Sequence, residues 1–301
     1  MYAREESGYG SDGAQVDMSP PLPNIDRIAA DALRLCHDFE VTELMMNSAN
    51  GVLYKGFALA SGKEVIFKQI PRLSVPEWAE LDGALVPAEI SNHFRTFEAT
   101  KSLDAVCRPL TWFEKKSSFV LVLEKVDNGM DLFELSRKYG ALKEEPVRVI
   151  FAQLLRMWQS LNAAGICHRD LKDENIIINT ASLECRLIDF GCSTQLSSKM
   201  QKTFAGTPEF YPPEWYQTGT YYHESLTAWS VGVILFILLT GQMPTQIKSN
   251  IVDFRLDRDA FDLISTLSVE ARILLRALLD PNPATRADLQ RANLLLFKWC
   301  F

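Results

Sequence analysis

The chain has 301 residues, 47% of them hydrophobic, with 31 Lys and Arg against 38 Asp and Glu for a formal net charge of −7. That is enough apolar material for one large domain or two small ones. The acidic balance argues against general binding to nucleic acid or anionic membrane, and suits basic peptide partners. Cys36, Cys107, Cys167, Cys185, Cys192 and Cys300 are scattered with no CxxC spacing, which disfavours a disulfide framework or zinc site and fits a reducing compartment.

Residues 1–24 are rich in Gly, Ser, Asp, Glu and Pro and end in Ser19-Pro20-Pro21-Leu22-Pro23. Such a segment buries too little apolar surface to fold alone, so residues 1–36 are expected to be a disordered tail and a lead-in with a short helical pattern from Ile25 to Leu35. The first residues have no apolar signal core, and the longest apolar run, Val231 to Leu239, is too short to span a bilayer. A soluble cytoplasmic protein is expected, with the nucleus not distinguished.

From Phe39 to Glu124 the pattern is strand-like, with short apolar or alternating runs at Val52-Leu53-Tyr54, Glu64-Val65-Ile66-Phe67-Lys68 and Ser118 to Leu123. One helix interrupts them, beginning near Pro87 and carrying Glu89. After Asp127 the period changes. Val147, Ile150, Phe151, Leu154, Leu155, Trp158 and Leu161 recur at helical spacing between Pro146 and Ala163. Ser225 to Thr240 reads as a nearly all-apolar helix suited to the centre of a lobe, and Val269–Leu279 and Ala287–Trp299 as further helices. The expectation is an α+β, two-lobed domain over residues 37–301. A β-rich lobe at 37–124 with one main helix is joined by a hinge at 124–128 to a larger helical lobe at 129–301.

The most informative stretch is His168-Arg169-Asp170-Leu171-Lys172-Asp173-Glu174-Asn175, followed by Asp189-Phe190-Gly191 behind the apolar pair Leu187-Ile188. These two motifs, in this order, read as the catalytic loop and metal-binding turn of a protein kinase. A charged surface loop would match one motif by chance, but hardly both. Phosphoryl transfer needs positioning and charge neutralisation more than covalent help. Asp170 can orient and deprotonate an acceptor hydroxyl, Lys172 can reach the transferring phosphate, and Asn175 and Asp189 offer hard oxygens to Mg2+. Upstream, Lys68 and Glu89 suit the strand lysine that holds ATP phosphates and the helix glutamate that pairs with it, although each alone could be an ordinary surface charge. Downstream, Gly206-Thr207-Pro208-Glu209 leads to Pro212-Pro213-Glu214, with Thr207 placed near Asp170 and Lys172 and Arg286 expected to pair with Glu214.

Within the kinases the chain resembles the PIM serine/threonine family. The resemblance rests on Arg72-Leu73-Ser74, Pro76-Glu77-Trp78, Trp112-Phe113-Glu114, Ser118 to Glu124, Asp131-Leu132-Phe133, Gly140-Ala141-Leu142, Asp173-Glu174-Asn175 and Tyr211-Pro212-Pro213-Glu214-Trp215. The missing aspartate before Trp229-Ser230-Val231-Gly232 is also PIM-like. The resemblance implies a monomeric kinase that uses ATP and Mg2+ on Ser or Thr in peptides with upstream arginines, with little dependence on activation-segment phosphorylation. It places Leu44, Gly51, Ile66, Lys68, Glu89, Glu124, Val126, Asp131 and Ile177 around the nucleotide. Asp131, Asp173, Glu174 and Thr207 fall on the peptide side, where Asp127 and Glu134 can join an acidic cluster for guanidinium groups.

Several positions depart from the pattern. Met46-Asn47-Ser48-Ala49-Asn50-Gly51 keeps only the last glycine of the phosphate-covering loop, with Asn50 at the tip in place of an aromatic. Ile66 stands where an alanine would roof the adenine, and overpacking of this kind costs about 1–3 kcal/mol. His93, at an apolar position of the Glu89 helix, either loosens the active arrangement or is simply an exposed or satisfied histidine. Val126 replaces a hinge proline and restores an N–H for a second adenine bond. Thr203 and Ala205 replace acidic residues, so phosphorylated Thr203 would supply charge to Arg169. Cys192 is either a reactive thiol or a small semi-buried side chain. These changes leave open an alternative to the enzyme, a nucleotide-poor binding scaffold.

Overall fold

The structure is a computed structural model that describes residues 20–48, 51–244 and 264–300. Strands β1 (Phe39–Ser48), β2 (Gly51–Ala58) and β3 (Lys63–Pro71) open the small lobe. A separate hairpin follows, β4 (Trp78–Leu81) with β5 (Ala84–Pro87), then helix α2 (Ala88–Ala99), β6 (Pro109–Glu114) and β7 (Ser118–Glu124). The main sheet is antiparallel, in the order β1-β2-β3-β7-β6. Successive residues of a strand face opposite sides. On one face Val65, Phe67, Phe113, Val120 and Val122 pack with Leu35 and Phe39; on the other Ile70, Leu121 and Leu123 pack with Val86 and Ile90. Both faces are covered, which is why Phe119 to Leu123 reads as an unbroken apolar run rather than an alternation.

The cover on the first face is helix α1 (Ile25–Asp38), which ends at Phe39. Asn24 caps it by accepting from Arg27 N at 3.0 Å. Buried Asp31 accepts from Glu114 N at 2.8 Å, and Arg72 binds Glu114 Oε1 at 2.5 Å and the Pro21 carbonyl at 3.1 Å. The Arg27 guanidinium lies 3.9 Å above the Trp112 ring. The helical lead-in expected from Ile25 to Leu35 is present and runs on to Asp38, while of the expected disordered tail only residues 20–24 are described, with the Pro21 carbonyl on Arg72 and the Asn24 N–H on Glu114. This polar segment cannot fold alone, but Glu114, Arg72 and Trp112 give its charges partners. Residues 1–19 lie outside the described residues.

In the larger lobe, β8 (Gly129–Asp131), β10 (Ile176–Asn179) and β11 (Cys185–Leu187) form a three-stranded sheet, and β9 (Ile166–Cys167) pairs with β12 (Thr194–Gln195). The helices are α3 (Leu132–Tyr139), α4 (Glu144–Ala164), α5 (Pro213–Thr218), α6 (His223–Thr240), α7 (Val269–Leu278) and α8 (Leu289–Cys300). Each expected helix is present, with ends moved by a few residues; Pro146 falls inside the first turn of α4, where the missing N–H costs nothing. By length and composition α6 could cross a membrane, but it is buried along nearly its whole length, which is how an all-round apolar helix sits at the centre of a lobe. Glu144 ties three helices, accepting from Ser268 N (2.7 Å), Ser268 Oγ (2.7 Å) and Trp299 Nε1 (2.6 Å).

The expected Glu214–Arg286 pair is present and buried. Arg286 Nη1 and Nη2 bind Glu214 Oε1 and Oε2 at 2.7 and 2.8 Å, while Ser225 Oγ donates to Oε1 at 2.9 Å. Removing one partner of a buried pair leaves an uncompensated charge, at a cost of about 3–5 kcal/mol. Arg286→Met is expected to lower unfolding free energy by about that amount in a urea titration. A loss under about 1 kcal/mol would show that water reaches Glu214.

Candidate functional site

The two lobes meet where β3, α2 and the turn after β11 converge. Lys68 lies on the central strand β3 between Leu53 of β2 and Leu121 of β7, so its backbone is fixed on both sides. Its Nζ is 2.5 Å from Glu89 Oε1 and 2.7 Å from Asp189 Oδ1. Burial works against the ammonium, but the charges of Glu89 and Asp189 outweigh it and hold Lys68 above its usual pKa. Burial also opposes Asp189, and Lys68 together with the Gly191 N–H (3.0 Å) reverses this and holds its carboxyl at about 2. The group is a carboxylate at any physiological pH.

Across the cleft the catalytic-loop residues form a second cluster. Asp170 Oδ1 accepts from Thr207 N at 2.8 Å, and Asn175 Nδ2 donates to Asp170 O at 2.8 Å and to Oδ2 at 3.2 Å. Lys172 Nζ is 3.8 Å from Asp170 Oδ2 and 2.6 Å from Glu174 Oε2. Thr207 thus reaches Asp170 through its backbone N–H. With the Asn175 amide nitrogen spent on Asp170, its oxygen is left for a hard cation. Asn175 and Asp189 therefore fit Mg2+, which takes few protein oxygens and completes its shell with water and phosphate. Arg169 and Asp189 both hold left-handed backbones, φ 62° and 61°, a strained state that persists mainly at functional turns.

The nucleotide-side residues are placed by their elements. Leu44 lies on β1, and Ile66 is half-buried on the same face of β3 as Lys68. Glu124 ends β7, its side chain accepting from Arg108 N at 2.8 Å. Val126 follows in the hinge, its carbonyl accepting from Gly129 N at 3.2 Å. Ile177 pairs with Asp131 and lies against Gly129, where a Cβ would come 3.0 Å from Ile177 Cγ2. Gly51 has φ 135°, and a Cβ there would sit 2.6 Å from the Gln69 carbonyl oxygen. Close packing of β2 on β3 is sufficient reason for that glycine. Ala49 and Asn50, the tip of the loop, lie outside the described residues.

The acidic cluster is only partly assembled. Asp131 is the N-cap of α3, accepting from Glu134 N at 2.7 Å. Asp173 is buried; burial first, then the charges of Glu174 and Asp131, push it up to about 6. A cavity of about 800 Å3 is lined by Asp173, Glu174 and Thr207 together with Phe133, Arg137 and Glu209, but not by Asp127, Asp131 or Glu134. Sequence reasoning missed Glu209 as a lining residue, although it directly follows Thr207-Pro208.

Two of the open alternatives resolve. Burial, then the charges of Asp170 and Asp189, push the Cys192 thiol up to about 11, so it is the semi-buried side chain rather than the reactive thiol. His93 is buried and satisfied: its Nε2 donates to the Cys107 carbonyl at 2.7 Å and its ring lies 4.5 Å from that of Phe190. For the phosphate expectation, Thr203 is exposed with its carbonyl held by Tyr221 OH at 3.0 Å, and Arg169 Nε donates to Cys192 O at 2.7 Å.

Burial lowers His93 from the usual 6.5 to about 4. As pH falls from 6.5 toward 4 the unfolded chain takes up this proton before the native one does, so native stability is lost over that window. His93→Leu is expected to reduce the pH slope of stability there by about one proton. Urea midpoints taken at half-unit steps of pH check this, and an unchanged slope would place water at the ring.

A protein kinase domain family model matches residues 39–296. The chain is 31% identical over 259 residues to the serine/threonine-protein kinase pim-2 of Danio rerio, covering 84% of this chain and 82% of that protein. It is 30% identical over 240 residues to the serine/threonine-protein kinase prk-2 of Caenorhabditis elegans, covering 80% of this chain and 53% of that protein. With the serine/threonine-protein kinase PLK4 of Nematostella vectensis the figures are 32% over 257 residues, 84% of this chain and 25% of that protein.

Proposed function

The chain belongs to the protein kinase domain family, and on that premise we propose that it transfers the γ-phosphoryl group of ATP to Ser or Thr in basic peptide segments, as a PIM-like enzyme. The observation that carries this reading is the double engagement of Lys68, 2.5 Å from Glu89 and 2.7 Å from Asp189, across from an Asp170 already oriented by Asn175 and Thr207. The side chains that would handle charge are all present, while the departure at Ile66 changes only an apolar side chain on β3.

Magnesium ATP, when bound, supplies the phosphoryl group and neutralises its charge. Asn175 and Asp189 would hold the metal, and Lys68, fixed by Glu89, would hold phosphate oxygens. Asp170 orients the acceptor hydroxyl and takes its proton, with Lys172 close enough to offset negative charge at the reacting centre. Glu174 and Glu209 beside Thr207 offer carboxylates to a guanidinium group of the peptide. Asp131 and Glu174 each have one oxygen engaged, on the α3 cap and on Lys172, and can offer the other. Free thiols throughout, two of them exposed, suit the reducing cytoplasm.

The test is phosphate transfer by purified protein to an arginine-rich Ser/Thr peptide with Mg-ATP, beside Asp170→Asn. The variant is expected to lose about 10²–10⁴-fold in kcat. Equal signals from both proteins across several peptides would overturn the enzyme and favour the scaffold. The hinge gives a second expectation. Val126→Pro removes one N–H donor, so ATP affinity should fall about fivefold by calorimetry. An unchanged affinity would remove Val126 from adenine recognition.

A further inference from the structure

Helix α2, which carries Glu89, is not built mainly for apolar docking. Ser91, Asn92, His93 and Thr96 are all buried on it. The first three are consecutive, and consecutive helical residues point about 100° apart, so they cannot share one partner surface. Ser91 Oγ donates to the Glu80 carbonyl of β4 at 3.1 Å. Asn92 Nδ2 donates to Ser193 Oγ at 3.0 Å, and that hydroxyl donates in turn to the Phe190 carbonyl at 2.6 Å. His93 Nε2 donates to the Cys107 carbonyl ahead of β6 at 2.7 Å. The helix is thereby bonded to three separate bodies: the β4–β5 hairpin, the segment following Asp189, and the root of the main sheet.

Apolar contact is non-directional and tolerates sliding. Buried hydrogen bonds do not, because a displaced helix leaves each polar group desolvated and unpaired. Here a shift of α2 would leave the buried Asn92 and His93 without these partners together, while Ser193 would keep only its bond to the Phe190 carbonyl. Ser193 follows the Asp189 turn closely enough that the Asn92 bond couples the element bearing Glu89 to the element bearing Asp189. We propose that Asn92 and His93 are positioning residues that hold Glu89 and Asp189 on Lys68 in the free protein. This rests on reading the Lys68 cluster as the phosphate-holding part of a phosphoryl-transfer site.

The experiment is a double-mutant cycle of Asn92→Leu and Ser193→Ala on the full chain, with His93→Leu and Ser193→Thr alongside. Amide hydrogen exchange over residues 88–99, without nucleotide, is read first. Each of the three disrupting variants is expected to speed exchange there about five- to tenfold, the order of one lost buried hydrogen bond. Asn92→Leu with Ser193→Ala should be no faster than either alone, and Ser193→Thr, which keeps the hydroxyl, should match the parent. In the kinetic arm, KM for Mg-ATP should rise about fivefold while the peptide KM holds. Unchanged exchange, strictly additive effects, or a lowered melting temperature with an unaltered KM for Mg-ATP would each overturn the proposal. Should the parent chain transfer no phosphate, the catalytic reading falls, while the exchange cycle still decides whether these bonds hold the helix. Ser193→Ala keeps the test usable if Asn92→Leu fails to fold.

Discussion

One ammonium group, shared by two carboxylates from distant parts of the chain, sets the geometry of this molecule. Lys68 comes from β3, Glu89 from α2 and Asp189 from the turn beyond β11, so the shared cation brings the two lobes to a fixed relation. A buried lysine is costly unless compensated, and two anions crowded together are costly unless a cation separates them. Each of the three needs the other two. Remove the lysine and Glu89 and Asp189 repel; remove either acid and the remaining pair must carry the desolvation alone. Such an arrangement is poor evidence of stability but good evidence of placement, because moving any one of the three groups leaves the others uncompensated.

The scaffold follows from that demand. A lysine held within 2.5–2.7 Å of two partners needs a stiff strand beneath it, and β3 is stiff because β2 and β7 bond it on both edges and apolar cores lie on both faces. On the other side of the cleft the catalytic loop is anchored by its own network. Thr207 N–H and the Asn175 amide converge on Asp170, and the activation segment that carries Thr207 is pinned at its far end by Glu214 on Arg286. α6 supplies the floor on which these pieces rest.

Much of this was legible in the sequence, for a physical reason. The kinase motifs stand out because few side chains can orient a hydroxyl or ligate magnesium, which makes residue types such as those at Asp170, Lys172, Asn175 and Asp189 conspicuous. The helices announced themselves because α4 buries one long apolar face with helical periodicity, while α6 is apolar all round, as a helix enclosed on every side must be. What stayed hidden were effects that depend on partners remote in sequence. Nothing near Asp31 indicates that it will cap Glu114, and nothing near His93 that the Cys107 carbonyl waits for it. The capping role of Asp131 was hidden too, because a lone carboxylate does not show that the next turn of helix will use one of its oxygens. Nor does the sequence around Gly51 show that the Gln69 backbone excludes a side chain there.

Helix α1 has a consequence for where this lobe begins. The family match starts at residue 39, yet Leu35 fills the sheet face beside Phe67 and Phe113, and Asp31 satisfies a buried backbone N–H. A fragment cut at the family boundary would bare an aromatic face and leave the Arg72–Glu114 pair without its Pro21 and Asp31 neighbours. Exposed apolar patches of this kind invite self-association. For this chain the family match is smaller than the unit that buries this sheet face, because helix α1 covers a surface that the matched residues alone would leave wet.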